Sequence, residues 1–236
     1  MKERQPNTMT AKPTAKKAKA KIIVVDDHPI VRQGLVQMIS HEPDLEVCAE
    51  AESAADALKA IAATGPDAAI VDLSLKGSSG LELLKDIRVR HPKLPVLVLS
   101  VYDESMYAER ALRAGARGYM MKEEAAEKVI TAIRRILSGQ IYLSENMASR
   151  FLHVLVDGRP EGGTSPAERL SDRELEVFQL IGRGFGNTDI ARQLHLSPKT
   201  VETYRSHIKE KLKLASSTEL LQHAIRWAQS LGGTKV

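Results

Sequence analysis

The chain has 236 residues, 43% hydrophobic and 27% charged, with a single cysteine and a formal net charge of +4. This composition suits one large core or two modest ones, and no apolar stretch approaches the roughly 20 residues that span a bilayer. Cys48 alone forms neither an internal disulfide nor a metal site, so a cytoplasmic setting without membrane contact is expected.

The charge is unevenly spread. Residues 1–21 carry +6, residues 22–137 carry −4, and residues 165–236 carry +3. The low-complexity basic stretch over residues 1–20 reads as a disordered tail rather than a signal peptide, because no apolar core follows it. From residue 21 to 137, short apolar runs alternate with amphipathic segments. "KIIVVDD" predicts a buried strand, and the helix after it spans 29–40, with Pro29 in its first turn and Ile30, Leu35, Val36 and Ile39 on one face. "LEVCAEA" predicts a second strand and Ser53 caps a second helix. Strand "DAAIVD", helix 80–90, strand "PVLVLS", helix 104–114, strand "RGYMM" and helix 125–137 complete the series. Five strands alternating with five helices predict a parallel sheet covered on both faces.

In open sheets of this kind ligands bind beyond the carboxyl ends of the strands. Asp26 and Asp27 end the first strand, Asp72 the third, Ser100 the fourth and Lys122 the fifth. Three carboxylates on one edge repel unless a cation sits among them, and oxygen ligands favour Mg²⁺. Asp72 is the natural nucleophile, since a carboxylate can form an aspartyl phosphate.

"VVDDHP", "AAIVDLSLKGSSGLELL", "VLVLSVYDE" and "GARGYMMK" together resemble a response-regulator receiver domain of the flavodoxin-like (βα)5 class. The resemblance implies strand order 2-1-3-4-5 and phosphorylation of Asp72 by a sensor histidine kinase. It implies that Asp27, Asp72 and the Ser74 carbonyl ligate Mg²⁺, with Asp26 acting largely through water. Ser100 would bond the phosphoryl group, Lys122 would neutralise it, and Tyr119 would turn inward as Ser100 moves.

Residues 138–168 read as a linker, with a short helix in "LSENMASRFLHVL" and a Gly/Pro-rich link after it. In residues 169–236, Ser171 and Glu174 form a capping box ahead of Leu175, Val177, Phe178 and Ile181. Gly184 ends that helix, Asn187 is expected to cap a short one, and Ser197 caps a third that begins at Pro198. Val201, Tyr204, Ile208 and Leu212 share one face of the third helix. The opposite face offers Lys199, Thr203, Ser206 and Lys213, flanked by Glu202 and Lys209. This pattern describes an all-α helix-turn-helix domain.

"LSDRELEVFQLIGRG", "NTDIARQL" and "SPKTVETYRSHIKEKL" resemble the LuxR/NarL/FixJ-type output domain. That resemblance implies double-stranded DNA as partner, with Lys199, Thr200, Arg205 and Lys209 on phosphates and Glu202, Thr203 and Ser206 facing bases. It also implies a last helix, 217–229, that often dimerises, and a homodimer is expected on phosphorylation. The expected function is a phosphorylation-switched transcription regulator of a two-component system, with no metabolic reaction of its own. Two rivals are a constitutive DNA-binding protein with a silent receiver and an aspartate-nucleophile phosphatase. Such phosphatases favour an Asp-x-Asp loop, whereas Leu73 and Ser74 follow Asp72.

Overall fold

The computed structural model describes residues 18–75, 78–157 and 169–232. Most of the basic tail and of the Gly/Pro-rich link therefore lies outside the described residues. The first unit contains strands β1 (Ala20–Val25), β2 (Leu45–Ala51), β3 (Ala68–Val71), β4 (Val96–Ser100) and β5 (Gly118–Met121). All pair in parallel, in the order 2-1-3-4-5.

The near-continuous apolar runs are explained by burial on both sides. Ile23, Val25, Ala69, Val71, Val96 and Val98 enter one core, and Ile22, Val24, Ala68, Ile70, Leu97 and Leu99 enter the other. Helices α2 (Ala54–Thr64), α3 (Gly80–Arg90) and α4 (Glu104–Ala114) cover the first core, and α1 (Pro29–Ser40) and α5 (Ala125–Leu137) cover the second. Ser53 caps α2 by accepting from the Asp56 N–H.

The predicted apolar face of α1 needs correction. Leu35 and Ile39 are buried, but Ile30 is 85% exposed. Val31, spaced 4 and 8 residues before Leu35 and Ile39, is the first-turn residue that packs on the core. Ile30 lies about 140° around the helix from Leu35 and is left in solvent.

A helix α6 (Glu145–Asp157) follows the sheet unit, where a short helix was expected. The second unit is helical: α7 (Asp172–Gly182), α8 (Asn187–Gln193), α9 (Pro198–Leu212) and α10 (Ser217–Gly232). The capping box of Ser171 and Glu174 is formed, and Ser197 caps α9 by accepting from the Thr200 N–H. Val201 and Ile208 of α9 are buried with Leu175, Phe178 and Ile181 of α7. Gly182 is required where α7 meets α10, because a side chain there would collide with the Ala224 backbone.

Asn187 does not cap α8. The N-cap is Gly186, which makes no side-chain cap bond, and the Asn187 amide instead donates to Glu202 Oε2 of α9 at 2.6 Å. A capping Asn accepts a helix N–H with its Oδ1, whereas here the Nδ2–H donates to a carboxylate, a charge-assisted bond that holds the side chain toward α9 instead of the helix end.

Candidate phosphoacceptor site and nucleic-acid interface

The carboxyl edge of the sheet gathers the polar residues that the strands deliver. Asp26 and Asp72 are each 1% exposed, and Ser100 and Tyr119 are fully buried. Ligand atoms of Asp26, Asp27, His28 and Asp72 all lie within 4.8 Å of one another. The Lys122 ammonium sits 2.7 Å from Asp26 Oδ2 and 2.7 Å from Asp72 Oδ2.

Burial pushes the Asp72 carboxyl up to about 6, against the attraction of Lys122 and with the repulsion of Asp26. Burial disfavours the Lys122 ammonium, but Asp72 and Asp26 outweigh it and hold its pKa above the ordinary lysine value. Ser74, two residues past Asp72, donates its N–H to Asp72 Oδ1 at 3.2 Å. Gly80 keeps α3 close behind this loop, since any side chain there would meet the Asp72 carbonyl.

Tyr119 is already turned inward: its hydroxyl donates to the Tyr102 carbonyl at 2.8 Å. Ser100 Oγ accepts from the Tyr102 N–H at 3.1 Å. Tyr102 in turn stacks on Tyr107 of α4, ring centroids 4.8 Å apart. A continuous set of contacts thus runs from the strand ends to α4.

That set continues into the helical unit, which sequence periodicity did not reveal. The Tyr107 hydroxyl donates to Gln179 Oε1 of α7 at 3.2 Å. Arg110 of α4 contacts Asp172 at 2.6 Å and donates to the Leu170 carbonyl at 2.8 Å, and Lys85 of α3 meets the same Asp172 at 3.0 Å. Glu176 lies buried between Ser79 and Arg173, and burial raises its pKa despite the arginine. His195 Nε2, in the turn between α8 and α9, reaches to 3.8 Å from Asp27 Oδ2. The polar side of α7 is therefore an interface rather than a solvated face.

The recognition face remains open. Lys199, Glu202, Thr203, Ser206 and Lys213 are exposed, while Thr200, Arg205 and Lys209 are half-buried. Thr200 shares a hydroxyl contact with Ser197, and the Thr203 hydroxyl donates back to the Lys199 carbonyl. An exposed basic and polar face on the second helix of a helix-turn-helix is the geometry that enters a major groove.

A phosphoacceptor-type carboxylate edge joined to a helix-turn-helix defines a signal-receiving DNA-binding protein. Residues 22–134 match the response regulator receiver domain, and residues 168–224 match the bacterial regulatory proteins of the luxR family. The oxygen regulatory protein NreC of Staphylococcus epidermidis is 35% identical over 211 residues, covering 87% of this chain and 97% of that protein. A LuxR-family two-component response regulator from Aurantimonas sp. is 34% identical at a TM-score of 0.55, covering 59% of this chain and 99% of that one. RcsB of Salmonella enterica serovar Typhimurium, solved on the rprA promoter with the phosphomimetic BeF₃⁻, is 26% identical at a TM-score of 0.58 and covers 88% of this chain and 98% of its own. The chain belongs to the LuxR-type response regulators, DNA-binding transcription regulators of two-component systems. Among the described residues no helix is long and apolar enough to cross a membrane.

Proposed function

We propose that Asp72 accepts a phosphoryl group from a sensor histidine kinase and that this charge resets the docking of α7 on the receiver unit. The observation that carries it is the Lys122 ammonium lying between buried Asp26 and Asp72 at the strand ends. In the transfer, the histidine N–P bond breaks and an O–P bond forms at an Asp72 carboxylate oxygen. Lys122 would neutralise the oxygens that arrive, and the Ser100 hydroxyl would donate to one of them.

The acidic cluster fits a hard divalent cation. Asp26 Oδ2 and Asp27 Oδ1 are buried oxygens whose near partners are the Lys122 ammonium and the His28 imidazole, each at 2.7 Å. Mg²⁺ held by Asp27, Asp72 and the Ser74 carbonyl, with Asp26 through water, would offset the charge of the incoming group. Turnover of a metabolite is not part of this reading, and the protein works in the cytoplasm.

Incubation with a small phosphodonor and Mg²⁺ should add one phosphoryl mass to the intact chain. Asp72→Asn should fold and show no gain; full labelling of that variant overturns the assignment.

On DNA, Lys199, Thr200, Arg205 and Lys209 would meet phosphates, and Glu202, Thr203 and Ser206 would face bases. Each neutralised phosphate contributes about −0.9 to the slope of log affinity against log salt. Lys209→Ala should flatten that slope by nearly one unit and weaken all sequences alike. Glu202→Ala should instead change which sequence is preferred; an unchanged preference removes Glu202 from base readout. Phosphorylated chains are expected to pair and to protect two inverted half-sites, which sedimentation and footprinting would check. The intact carboxylate edge, with its lysine and buried serine, favours this reading over a constitutive DNA-binding protein with a silent receiver.

A further inference from the structure

Glu202 stands apart from the other polar side chains on the outer face of α9. Thr203 and Thr200 turn their hydroxyls back onto α9 or its cap. Glu202 alone of the base-facing set is gripped by another helix, through the 2.6 Å bond from Asn187 Nδ2 to its Oε2. Its Oε1 accepts no hydrogen bond among the described residues.

A free glutamate side chain has several rotatable bonds, and ordering it against a base opposes binding. A glutamate beside a phosphate backbone is also repelled, and it swings away unless something holds it. The Asn187 amide supplies a neutral donor that fixes one oxygen without cancelling the charge. Unlike a lysine, it does not convert the pair into a phosphate anchor. Asn187 is free for this because Gly186 already serves as the N-cap of α8.

Resting on the base-facing reading of Glu202 above, we propose that Asn187 is a positioning residue for sequence readout. It ties down Oε2 of Glu202 so that Oε1 is presented to a base amino group, of the kind a cytosine offers in the major groove. Asn187 touches no base itself, so its effect appears at the base pair that Glu202 reads and nowhere else.

The test uses the full-length chain, treated with phosphodonor, and a pool of duplexes randomised across the bound site, with the bound fraction sequenced. Glu202→Ala should erase the preference at one base pair. Asn187→Ala should lower the same preference by about five- to tenfold, within the range that one good base contact confers. Asn187→Asp, which repels Glu202, should do at least as much. The double variant Asn187→Ala/Glu202→Ala should be no worse than Glu202→Ala, because both changes remove one contact. Thermal melting should be nearly unchanged for Asn187→Ala.

Uniform weakening of all sequences by Asn187→Ala would make the residue merely structural. A sharper preference in that variant would mean that Asn187 holds Glu202 away from DNA, and it too overturns the proposal. If Glu202→Ala leaves the preference intact, the base-facing role of Glu202 fails first, and the role of Asn187 falls with it. Loss on Glu202→Ala without loss on Asn187→Ala sinks the positioning role alone.

Discussion

Without divalent cations, Asp72→Asn should melt higher than the parent protein at neutral pH, and the advantage should vanish in acid. The Asp72 carboxyl is raised from 3.8 to about 6, chiefly by burial. The folded protein therefore holds this proton more tightly than the unfolded chain does. Below pH 3.8 the acid is neutral in both states and its burial carries no electrostatic penalty. Between 3.8 and about 6 the folded state binds more protons, so stability falls as pH rises. Above about 6 the penalty is complete, roughly 3 kcal/mol at most at ~1.36 kcal/mol per pH unit. Asparagine keeps the shape and removes the charge, while Lys122 retains its contact with Asp26. We expect a gain of about 1–3 kcal/mol at pH 7.5, or about 4–10 °C for a unit of this size. Millimolar Mg²⁺ should stabilise the parent and leave the variant nearly unmoved, because binding to the native state alone raises stability. Melts at pH 4 and pH 7.5, with and without Mg²⁺, decide it. A variant that melts lower at pH 7.5 would show that the Asp72–Lys122 attraction outweighs burial, and a gap that ignores pH would show that folding leaves the Asp72 carboxyl at its ordinary pKa.

The carboxylate edge was legible in the sequence because the features that build it are local. Apolar runs ending in Asp27, Asp72, Ser100 and Lys122 mark strands buried on both faces, and the parallel topology brings those ends together. Caps at Ser53, Ser171 and Ser197 were equally readable, since each needs only a hydroxyl and a backbone N–H within three residues. Asn187 misled because its amide could serve a helix end or a partner 15 residues away, and only the fold decides between them. The polar side of α7 was opaque for a related reason. Glu176 and Gln179 look solvent-facing by periodicity, yet they are buried because a second unit packs there. Periodicity finds the face a helix turns to its own core; it carries no signal for a docking face made of satisfied polar groups.

That docking face carries the second large effect. Arg110→Glu should separate α7 from α4 and, at the same time, make the receiver bind a phosphoryl mimic more tightly. Arg110 and Asp172 are each about one-fifth exposed, so reversing one charge places two carboxylates together in a poorly solvated contact and forfeits the bond to the Leu170 carbonyl. The substitution lies on α4, away from the carboxylates at the strand ends, so the site itself remains. The two are linked through Ser100, Tyr102 and Tyr107, whose hydroxyl holds Gln179. If drawing Ser100 toward a phosphoryl group loosens α7, then loosening α7 must favour the phosphoryl-bound state by the same factor. Coupling of this kind spans about 5–150-fold, so beryllofluoride with Mg²⁺ should bind Arg110→Glu at least about fivefold more tightly. Small-angle scattering should show the two units apart before any ligand is added. Combining Arg110→Glu with Asp172→Arg should restore the compact form and the weaker binding only in part, because the bond to the Leu170 carbonyl stays lost and Lys85 then faces an arginine. Affinity for a single half-site should barely change, because Lys199, Glu202, Thr203 and Ser206 are exposed even while α7 is docked. Units that separate with no change in beryllofluoride affinity would uncouple the interface from the carboxylate site. A large rise in half-site affinity would mean instead that docking hides the recognition helix in solution.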